Sequence, residues 1–198
     1  MLKSNTKKKA IFLDRDGTIT RHTDNFIVRP RQLFILPHVV EAIKIFNELG
    51  FMVVIITNQA VISRGLITPK EMENLHSNLI ERLKRKKADI DGVYFCPHHP
   101  DGKIPPYNIK CNCRKPNPGL ILKAISEFNI DPKKSFMIGD AIIDVLAGQN
   151  AKVKTIQVKT GPGHPRLDKM YGNIKPDFTS KNLKEAAKIV KKINKKEL

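Results

Sequence analysis

Two aspartates, Asp14 and Asp16, stand two residues apart directly after the short apolar run Ala10–Leu13. An apolar run of this length is typical of a buried strand. Because residues i and i+2 of a strand point the same way, both carboxylates can face one site. Like charges that close repel each other unless a cation lies between them or one of them takes a proton. The pattern therefore indicates a Mg²⁺ site or an acid/base pair, although a surface turn has the same signature.

A second cluster of reactive side chains lies further along the chain, where all three cysteines fall within residues 96–113. An odd number of clustered cysteines, without a secretion signal, favours metal binding over disulfide bonds. Together with one histidine, Cys96, Cys111 and Cys113 match the ligands of tetrahedral Zn²⁺. On chemical grounds either His98 or His99 could be that histidine. A site with four protein ligands has no open position, so we expect a structural zinc.

The apolar periodicity and the turn signals predict the elements that must position these residues. Buried strands are expected at residues 10–13, 51–56, 92–95, 135–139 and 155–158. Helices are expected at residues 38–49, after a capping box at Thr68 and Glu71, at residues 120–128 and 142–147, and after a cap at Ser180. Since strands alternate with helices, we predict an α/β fold: a Rossmann-like, doubly wound parallel sheet with helices on both faces.

Several polar or reactive residues fall at or just past the ends of the predicted strands: Asp14, Thr57, Cys96 and Asp140. In such sheets, ligands bind beyond the carboxyl ends of the strands. We therefore expect these side chains to converge, which strengthens the functional interpretation of Asp14 and Asp16. Asp144, one helical turn beyond the last of them, is interpreted as a structural or supporting residue.

Length and composition limit the class of protein. The 198 residues, 40% hydrophobic and 28% charged, fit one soluble globular domain over residues 1–198. No run of 18 apolar residues occurs, so no membrane span is expected. The apolar run after the basic N-terminus is too short for a signal peptide, so we expect a cytoplasmic protein. The net charge of +17 favours phosphorylated or polyanionic partners without specifying nucleic acid.

Five segments together resemble the motifs of the haloacid dehalogenase (HAD) superfamily of phosphohydrolases. They are Phe-Leu-Asp-Arg-Asp-Gly-Thr at residues 12–18, Ile-Thr-Asn-Gln at 56–59, Cys-Pro-His-His-Pro at 96–100, Cys-Asn-Cys-Arg-Lys-Pro at 111–116 and Gly-Asp at 139–140. Within the superfamily, the chain most resembles the D-glycero-D-manno-heptose 1,7-bisphosphate 7-phosphatases and the related histidinol-phosphate phosphatases. The resemblance implies a HAD-like hydrolase domain without a cap domain and with a zinc-binding loop at about residues 96–113.

The resemblance also implies a role for each matching residue. Asp14 would attack phosphorus and form an aspartyl-phosphate, and Asp16 would protonate the leaving oxygen and then activate water. Thr57 would donate a hydrogen bond to the phosphoryl group, and Lys115 would stabilise the charge of the transition state. Catalytic Mg²⁺ would bind Asp14, Asp140 and the backbone carbonyl of Asp16.

The Cys-x-His pattern of the family selects His98, so that structural Zn²⁺ would bind Cys96, His98, Cys111 and Cys113. Only Arg114 separates the last zinc ligand from Lys115. We therefore expect the zinc to fix the loop that aims both cations at the substrate. The expected substrate-binding residues are Arg15, Asn58, Gln59, Arg114 and Lys115.

A small phosphorylated substrate is expected, and a sugar bisphosphate is the one that the resemblance favours, with removal of the heptose 7-phosphate. Arg114 could bind the second phosphate. In the absence of a cap, the zinc loop and a flap at residues 20–28 would cover the substrate. The chain departs from the family pattern at Thr20, at residues 60–61 and at Ala141, which affects sugar recognition rather than the catalytic core. We expect a monomer.

Three alternatives remain open at this point. The first is a histidinol-phosphate phosphatase, and the second is a nucleic-acid 3′-phosphatase of the same superfamily. The net charge of +17 would help the second, whereas the 6% aromatic content without Trp weakens it, since single strands are usually held by stacking. The third is a zinc-stabilised nucleic-acid-binding module without catalysis, which would not require the complete set of catalytic residues.

Overall fold

The computed structural model describes residues 6–23, 25–163 and 165–196. Its strands are β1 (Ala10–Leu13), β2 (Met52–Asn58), β3 (Gly92–Cys96), β4 (Phe136–Gly139), β5 (Lys154–Val158) and β6 (Phe178–Ser180). They form one parallel sheet in the order β3-β2-β1-β4-β5-β6. The predicted doubly wound parallel sheet is thus confirmed.

Strand β1 lies at the centre of the sheet, where it pairs with both β2 and β4. Leu13, its last residue, is in register with Ile55 on one side and Ile138 on the other. All four side chains of β1 are fully buried. Ile11 and Leu13 belong to the core on one face of the sheet, and the two residues that alternate with them belong to the other. Burial on both faces explains why this strand is a continuous apolar run.

The helices are α1 (Val39–Glu48), α2 (Pro69–Lys84), α3 (Gly119–Phe128), α4 (Ile142–Asn150), α5 (Pro165–Met170) and α6 (Leu183–Lys196). The inward side chains of α1, α2 and α6 join the core on one face of the sheet. Those of α3, together with Ala147 of α4, join the core on the opposite face. The two layers of helices leave the carboxyl edge of the sheet open for a site.

The predicted helix boundaries agree with the structure at most positions. The Thr68 hydroxyl accepts a hydrogen bond from the Glu71 N–H at 3.2 Å, and the Glu71 carboxylate accepts one from the Thr68 N–H at 2.8 Å, which is the predicted capping box. The cap predicted at Ser180 is wrong, because Ser180 ends β6. Asn182 caps α6 instead, its side-chain oxygen accepting a hydrogen bond from the Glu185 N–H at 3.0 Å.

The connections between strands hold little beyond these helices. Within the described residues, the connection from β1 to β2 contains a 3-10 turn, Pro30–Gln32, and α1. The connection from β3 to α3, residues 97–118, is a loop without regular elements. The sheet and its helices agree with the predicted HAD-like fold. Over the same described ranges, no helix has both the length and the apolar character that crossing a bilayer requires.

Candidate active site

A cavity of about 410 Å³ opens at the carboxyl edge of the sheet, beyond the ends of β1, β2 and β4. Its walls include the predicted catalytic, substrate-binding and magnesium-binding residues: Asp14, Arg15, Asp16, Thr57, Asn58, Gln59, Arg114, Lys115 and Asp140. The described part of the flap, residues 20–23 and 25–28, contributes Phe26 and Ile27 to the same cavity. The structure therefore brings the predicted residues together at one site.

Three carboxylates form a compact cluster in the floor of this cavity. One oxygen each of Asp14, Asp140 and Asp144 lies within 4.8 Å of the others. Asp14 extends β1, since its N–H donates to the Ile138 carbonyl oxygen at 3.0 Å. Asp144 lies in the first turn of α4 and accepts a hydrogen bond from the Ala141 N–H at 3.1 Å. The sequence interpretation assigned Asp144 a supporting role, whereas the structure places it inside the cluster.

Lys115 enters the cluster from the end of the loop that contains the cysteines. Its ammonium group donates to Asp14 Oδ1 and to Asp144 Oδ1, both at 2.6 Å, and to the Ile56 carbonyl oxygen at 2.9 Å. Burial alone would lower the pKa of this amine, but the two carboxylates raise it above its ordinary value. Lys115 is therefore a fixed positive charge with its three donors in use.

The carboxylates are less easily ionised than ordinary aspartates. Burial, together with the nearby charges of Asp144 and Asp140, raises the pKa of Asp14 to about 8, although Lys115 acts in the opposite direction. Burial and the charge of Asp144 raise the pKa of Asp140 to about 6. Three carboxylates face one ammonium group here, so a divalent cation would balance the charge. Oxygen ligands of this kind fit Mg²⁺.

Two glycines make room for the Asp140 side chain. Gly17 has a φ of +91°, which favours glycine, and a Cβ at that position would lie 2.6 Å from Asp140 Oδ2. A Cβ at Gly161 would collide with the same oxygen. The Gly163 N–H donates to Asp140 Oδ2 at 3.1 Å. The position of this carboxylate therefore depends on glycine at these positions of the backbone.

Asp16 lies apart from the carboxylate cluster. Its two oxygens accept hydrogen bonds from Arg15 Nε at 2.9 Å and Nη2 at 2.6 Å, from Thr20 Oγ1 at 3.0 Å and from Gln59 Nε2 at 3.2 Å. Burial would raise the pKa of Asp16, but the Arg15 charge and these hydrogen bonds together lower it. Asp16 is thus an ionised carboxylate held by a network. Its carboxylate is not part of the candidate magnesium cluster.

Arg15, expected to bind substrate, is turned away from the cavity floor. Its side chain is 1% exposed, and its donors contact Asp16, Gln59 and His76. Arg15 Nη2 donates to Gln59 Oε1 at 3.0 Å. These contacts give Arg15 the function of orienting Asp16, while its contact with substrate stays a prediction.

Asn58 and Gln59 also hold neighbouring site residues in place. The Asn58 amide donates to the Lys115 carbonyl oxygen and accepts from the Lys115 N–H, both at 3.0 Å. Gln59 Nε2 donates to Thr57 Oγ1 at 2.8 Å. Because the Thr57 hydroxyl is the acceptor in that bond, its own proton remains available for another acceptor. Thr57 thus has a proton to offer a phosphoryl oxygen, while substrate binding by Asn58 and Gln59 stays a prediction.

Two arginines contribute guanidinium groups to the cavity. Arg114 Nη1 donates to the His98 carbonyl oxygen at 3.1 Å, a bond between two residues of the cysteine loop, residues 97–118 between β3 and α3. Arg64, which the sequence interpretation missed, lies with its guanidinium 5.0 Å from the Phe26 ring. Both arginines line the cavity. Paired guanidinium groups are suited to binding a phosphate.

The cysteine loop closes on itself through four candidate ligands. Cys113 Sγ lies 3.2 Å from Cys111 Sγ, 3.3 Å from Cys96 Sγ and 3.2 Å from His98 Nδ1. A tetrahedral Zn²⁺ with Zn–S bonds of about 2.3 Å needs separations of about 3.7 Å, so this donor set fits a zinc ion with a small expansion. Burial raises the pKa of the Cys96 thiol, so a cation would be needed to hold the thiolate form. His99 points elsewhere, its Nδ1 accepting from the Asp101 N–H at 3.1 Å.

Comparisons with known proteins agree with this geometry. The HAD-hydrolase-like family model matches residues 112–186. The D-glycero-beta-D-manno-heptose-1,7-bisphosphate 7-phosphatase of Pasteurella multocida (strain Pm70) is 43% identical over 155 residues, which are 78% of this chain and 83% of that protein. The D-glycero-D-manno-heptose-1,7-bisphosphate 7-phosphatase of Chlorobaculum tepidum is 39% identical over 90% of this chain and 92% of its own length.

A solved structure adds a likeness in three dimensions. The D,D-heptose 1,7-bisphosphate phosphatase of B. bronchiseptica, crystallised with magnesium and phosphate, matches with a TM-score of 0.82 and 28% identity. The match covers 93% of this chain and 99% of that chain. The chain is thus similar over most of its length to enzymes named for cleaving a phosphate ester.

Proposed function

This chain belongs to the HAD-like phosphatases, in the family of the heptose 1,7-bisphosphate 7-phosphatases, and from that premise we propose that it removes the 7-phosphate of D-glycero-D-manno-heptose 1,7-bisphosphate. The observation that carries the proposal is the meeting of Asp14, Lys115 and Asp140 in one cavity at the carboxyl edge of the sheet. Residues 1–198 would act as one catalytic domain.

Asp14 is the nucleophile in this proposal, and its carboxylate attacks phosphorus to form an aspartyl-phosphate. Lys115, at 2.6 Å from Asp14, favours the ionised nucleophile and faces the negative charge that develops on the phosphoryl group. Asp144 keeps the ammonium group of Lys115 in place from the other side. Thr57 donates its hydroxyl proton to a phosphoryl oxygen.

Asp16 is the acid and base of the two steps. In the first step it protonates the oxygen that leaves phosphorus, and in the second it takes a proton from the attacking water. The hydrogen bonds from Arg15, Thr20 and Gln59 favour its carboxylate form, which is the form that the second step needs. For the first step Asp16 must take up a proton from solvent, which becomes easier if these bonds loosen when substrate binds.

The magnesium site that we propose comprises the carboxylates of Asp14 and Asp140 and, from the family resemblance, the backbone carbonyl of Asp16. Bound Mg²⁺ supplies positive charge that offsets the repulsion between a carboxylate and a phosphate dianion. The need for several contributions follows from magnitude. Hydrolysis of a phosphate monoester can require an acceleration of up to ~10²¹, whereas a general acid supplies about 10²–10⁴.

A structural zinc ion on Cys96, His98, Cys111 and Cys113 completes the proposed cofactors. The loop that these ligands close leads directly into Arg114 and Lys115. Through that connection, zinc would fix the direction of the two cations without taking part in the chemical steps.

A sugar bisphosphate fits the charge and the size of the cavity. A volume of about 410 Å³ is within the usual range of about 300–1,000 Å³ for small-molecule sites. With the 7-phosphate at Asp14, the second phosphate would bind the guanidinium groups of Arg114 and Arg64, which line the same cavity. The relatives named for heptose bisphosphate support this choice over histidinol phosphate and over nucleic acid.

A phosphate-release panel with purified enzyme and Mg²⁺ tests the proposal. It compares heptose 1,7-bisphosphate, histidinol phosphate, fructose 1,6-bisphosphate and a 3′-phosphorylated oligonucleotide by kcat/KM. We expect the heptose bisphosphate to be turned over best. If histidinol phosphate or the oligonucleotide has the highest kcat/KM, the proposed substrate is wrong and the phosphatase chemistry survives.

A further inference from the structure

His76 is a buried imidazole that the proposed reaction does not use. It lies on the inner side of α2 and is 3% exposed. Its Nε2 atom is 3.0 Å from Arg15 Nη1, and its ring lies 5.4 Å from the ring of Phe95. It therefore contacts the side chain that holds Asp16 rather than the cavity itself.

The contact with Arg15 fixes the tautomer of His76. All the N–H groups of a guanidinium are donors, so His76 Nε2 must accept and its proton must sit on Nδ1. Nδ1 finds no hydrogen-bond partner among the described residues. A buried polar atom without a partner is unfavourable, and an apolar side chain would avoid it. The acceptor offered to Arg15 is thus the one polar function that the imidazole fulfils here.

The guanidinium of Arg15 is held from two sides. On the side of α2, Nη1 donates to His76 Nε2 and makes a 3.5 Å contact with Met72 Sδ. On the other side, Nε and Nη2 donate to the two oxygens of Asp16 in a forked arrangement. Because the guanidinium is planar and rigid, fixing Nη1 also fixes the direction in which the fork faces Asp16.

The imidazole is suited to this task because it stays neutral. Burial and the positive charge of Arg15 lower the pKa of His76 to about 3, while Asp16 opposes the shift. A protonated ring would lose its acceptor and repel the guanidinium. Neutral His76 therefore remains an acceptor for Arg15 at neutral pH.

We propose that His76 is a positioning residue for general acid/base catalysis, and that it sets the orientation of the Asp16 carboxylate through Arg15. His76 touches no reacting atom. The inference rests on the proposed function, since it assumes that Asp16 protonates a leaving group. It adds a residue on α2, more than fifty positions after Asp16 in the chain, to the machinery of that proton transfer.

Leaving groups of different basicity separate this role from a merely structural one. An alkoxide leaving group, as in a sugar phosphate, needs a proton in the transition state, whereas p-nitrophenolate leaves with little help. The parameter kcat/KM reports the steps up to departure of that group. A variant that mispositions Asp16 should therefore lose kcat/KM on heptose 1,7-bisphosphate and keep it on p-nitrophenyl phosphate. A variant that is merely less stable should lose both in proportion.

The experiment compares wild type with His76→Leu, which has no acceptor, and with His76→Gln, whose side-chain oxygen can replace Nε2. Asp16→Asn calibrates the signature of a lost acid. Leu79→Ala, a buried change on the same side of α2, controls for destabilisation. We expect His76→Leu to lower kcat/KM on the sugar phosphate by about 10–100-fold, which is part of the rate enhancement that a general acid supplies. On p-nitrophenyl phosphate it should stay within about twofold, and His76→Gln should recover most of the loss.

The inference is overturned if His76→Leu lowers both substrates equally, as Leu79→Ala would, or if it changes neither. It is also overturned if His76→Gln behaves like His76→Leu. Should His76→Leu fail to fold, His76→Phe, an aromatic ring without a hydrogen-bond acceptor, takes its place in the same comparison. Failure of the proposed function has another signature, since wild type itself would then release no phosphate from either ester or would do so equally well with Asp14→Asn.

Discussion

The carboxylate cluster and the cysteine loop both contain side chains that can bind a metal ion, yet these side chains are held together in opposite ways. Asp14, Asp140 and Asp144 come from the ends of adjacent central strands and the first turn of a helix. The cysteine loop, residues 97–118, has no regular elements between β3 and α3. In the carboxylate cluster, the fold holds like charges together. In the cysteine loop, a few side chains must hold the backbone in its conformation.

Because of this difference, substitutions in the two regions should affect different properties, namely reactivity in one and folding in the other. A sheet hydrogen bond to Ile138 holds Asp14, and bonds from Gly163 and Gln157 hold Asp140. A change in either carboxylate should therefore alter reactivity more than folding. The cysteine loop draws its definition from its four ligands, so a change in one of them should alter folding of the loop first and reactivity as a result. The four predictions that follow test this contrast.

Asp14→Asn should have the largest effect on activity. The amide keeps the size of the side chain but is not a nucleophile, so we expect kcat to fall on the order of 10⁴-fold or more. Melting temperature should stay at the wild-type value or rise, because repulsion with Asp140 and Asp144 is relieved. Phosphate release and thermal unfolding measure the two quantities. A folded Asp14→Asn protein that works at the native rate would refute the mechanism.

Cys113→Ser should disorder the cysteine loop. A structural zinc contributes about 10–16 kcal/mol, as much as the whole stability of a domain at about 5–15 kcal/mol. We expect loss of bound zinc, rapid proteolysis within residues 97–118, and a kcat/KM lower by about 10²–10³-fold as Lys115 loses its direction. Asn112→Ser, an exposed neighbour, is the matched control. Full activity after complete removal of zinc would show that the loop is held by something else.

Asp144→Asn should have a smaller effect, because it weakens only one of the contacts of Lys115. The amide oxygen can still accept from Lys115 or from the Ala141 N–H, but the ion pair at 2.6 Å is lost. We expect kcat to fall about 10–100-fold with little change in KM. Asp131→Asn, a carboxylate in a turn away from the cavity, should be silent. Equal rates for the two variants would remove Asp144 from the site.

The pH dependence of stability should reveal the strain in the carboxylate cluster when Mg²⁺ is absent. Asp14 and Asp140 have pKa values of about 8 and about 6 in the folded chain, against 3.8 ordinarily. Between pH 4 and 8 the folded state therefore holds protons that the unfolded state has released. Its free energy of unfolding should fall as pH rises through that window, by at most about 1.4 kcal/mol per pH unit for each group.

The check is a series of unfolding curves from pH 5 to 8 on zinc-loaded, magnesium-free protein. Asp14→Asn should flatten the dependence, and so should added Mg²⁺, since a cation favours the ionised carboxylates. Asp16 does not contribute in this window, because Arg15 and the hydrogen bonds to its carboxylate hold its pKa below the ordinary value. A slope that is identical in wild type and in Asp14→Asn would mean that the cluster stores no such repulsion.

Much of this architecture was predictable because the signals are local. Buried strands such as β1 are continuous apolar runs, and the cap at Thr68 and Glu71 is written in four consecutive residues. Strand β6, of three residues, and α5, of six, are too short to show a period, and the prediction missed both. The wrong cap at Ser180 has a related cause, since a serine and an asparagine two positions apart are equally good caps.

The sequence predicted which residues form the site better than it predicted where their side chains point. Residue types and strand ends identified Asp14, Thr57 and Asp140, because parallel strands bring their carboxyl ends together. Pairing between distant segments has no local signal. Asn58 holds the backbone of Lys115, a residue 57 positions later, and Arg15 turns inward to a helix that begins at residue 69.

The sheet order β3-β2-β1-β4-β5-β6 also bears on how the enzyme is made. Asp14 is synthesised more than 120 residues before Asp140 and Asp144. Until β4 has been translated, β1 lacks one of its two neighbours and the nucleophile lacks the carboxylates beside it. The growing polypeptide therefore carries its nucleophile in an unassembled form, and the site can form only after β4 and the start of α4 have been synthesised.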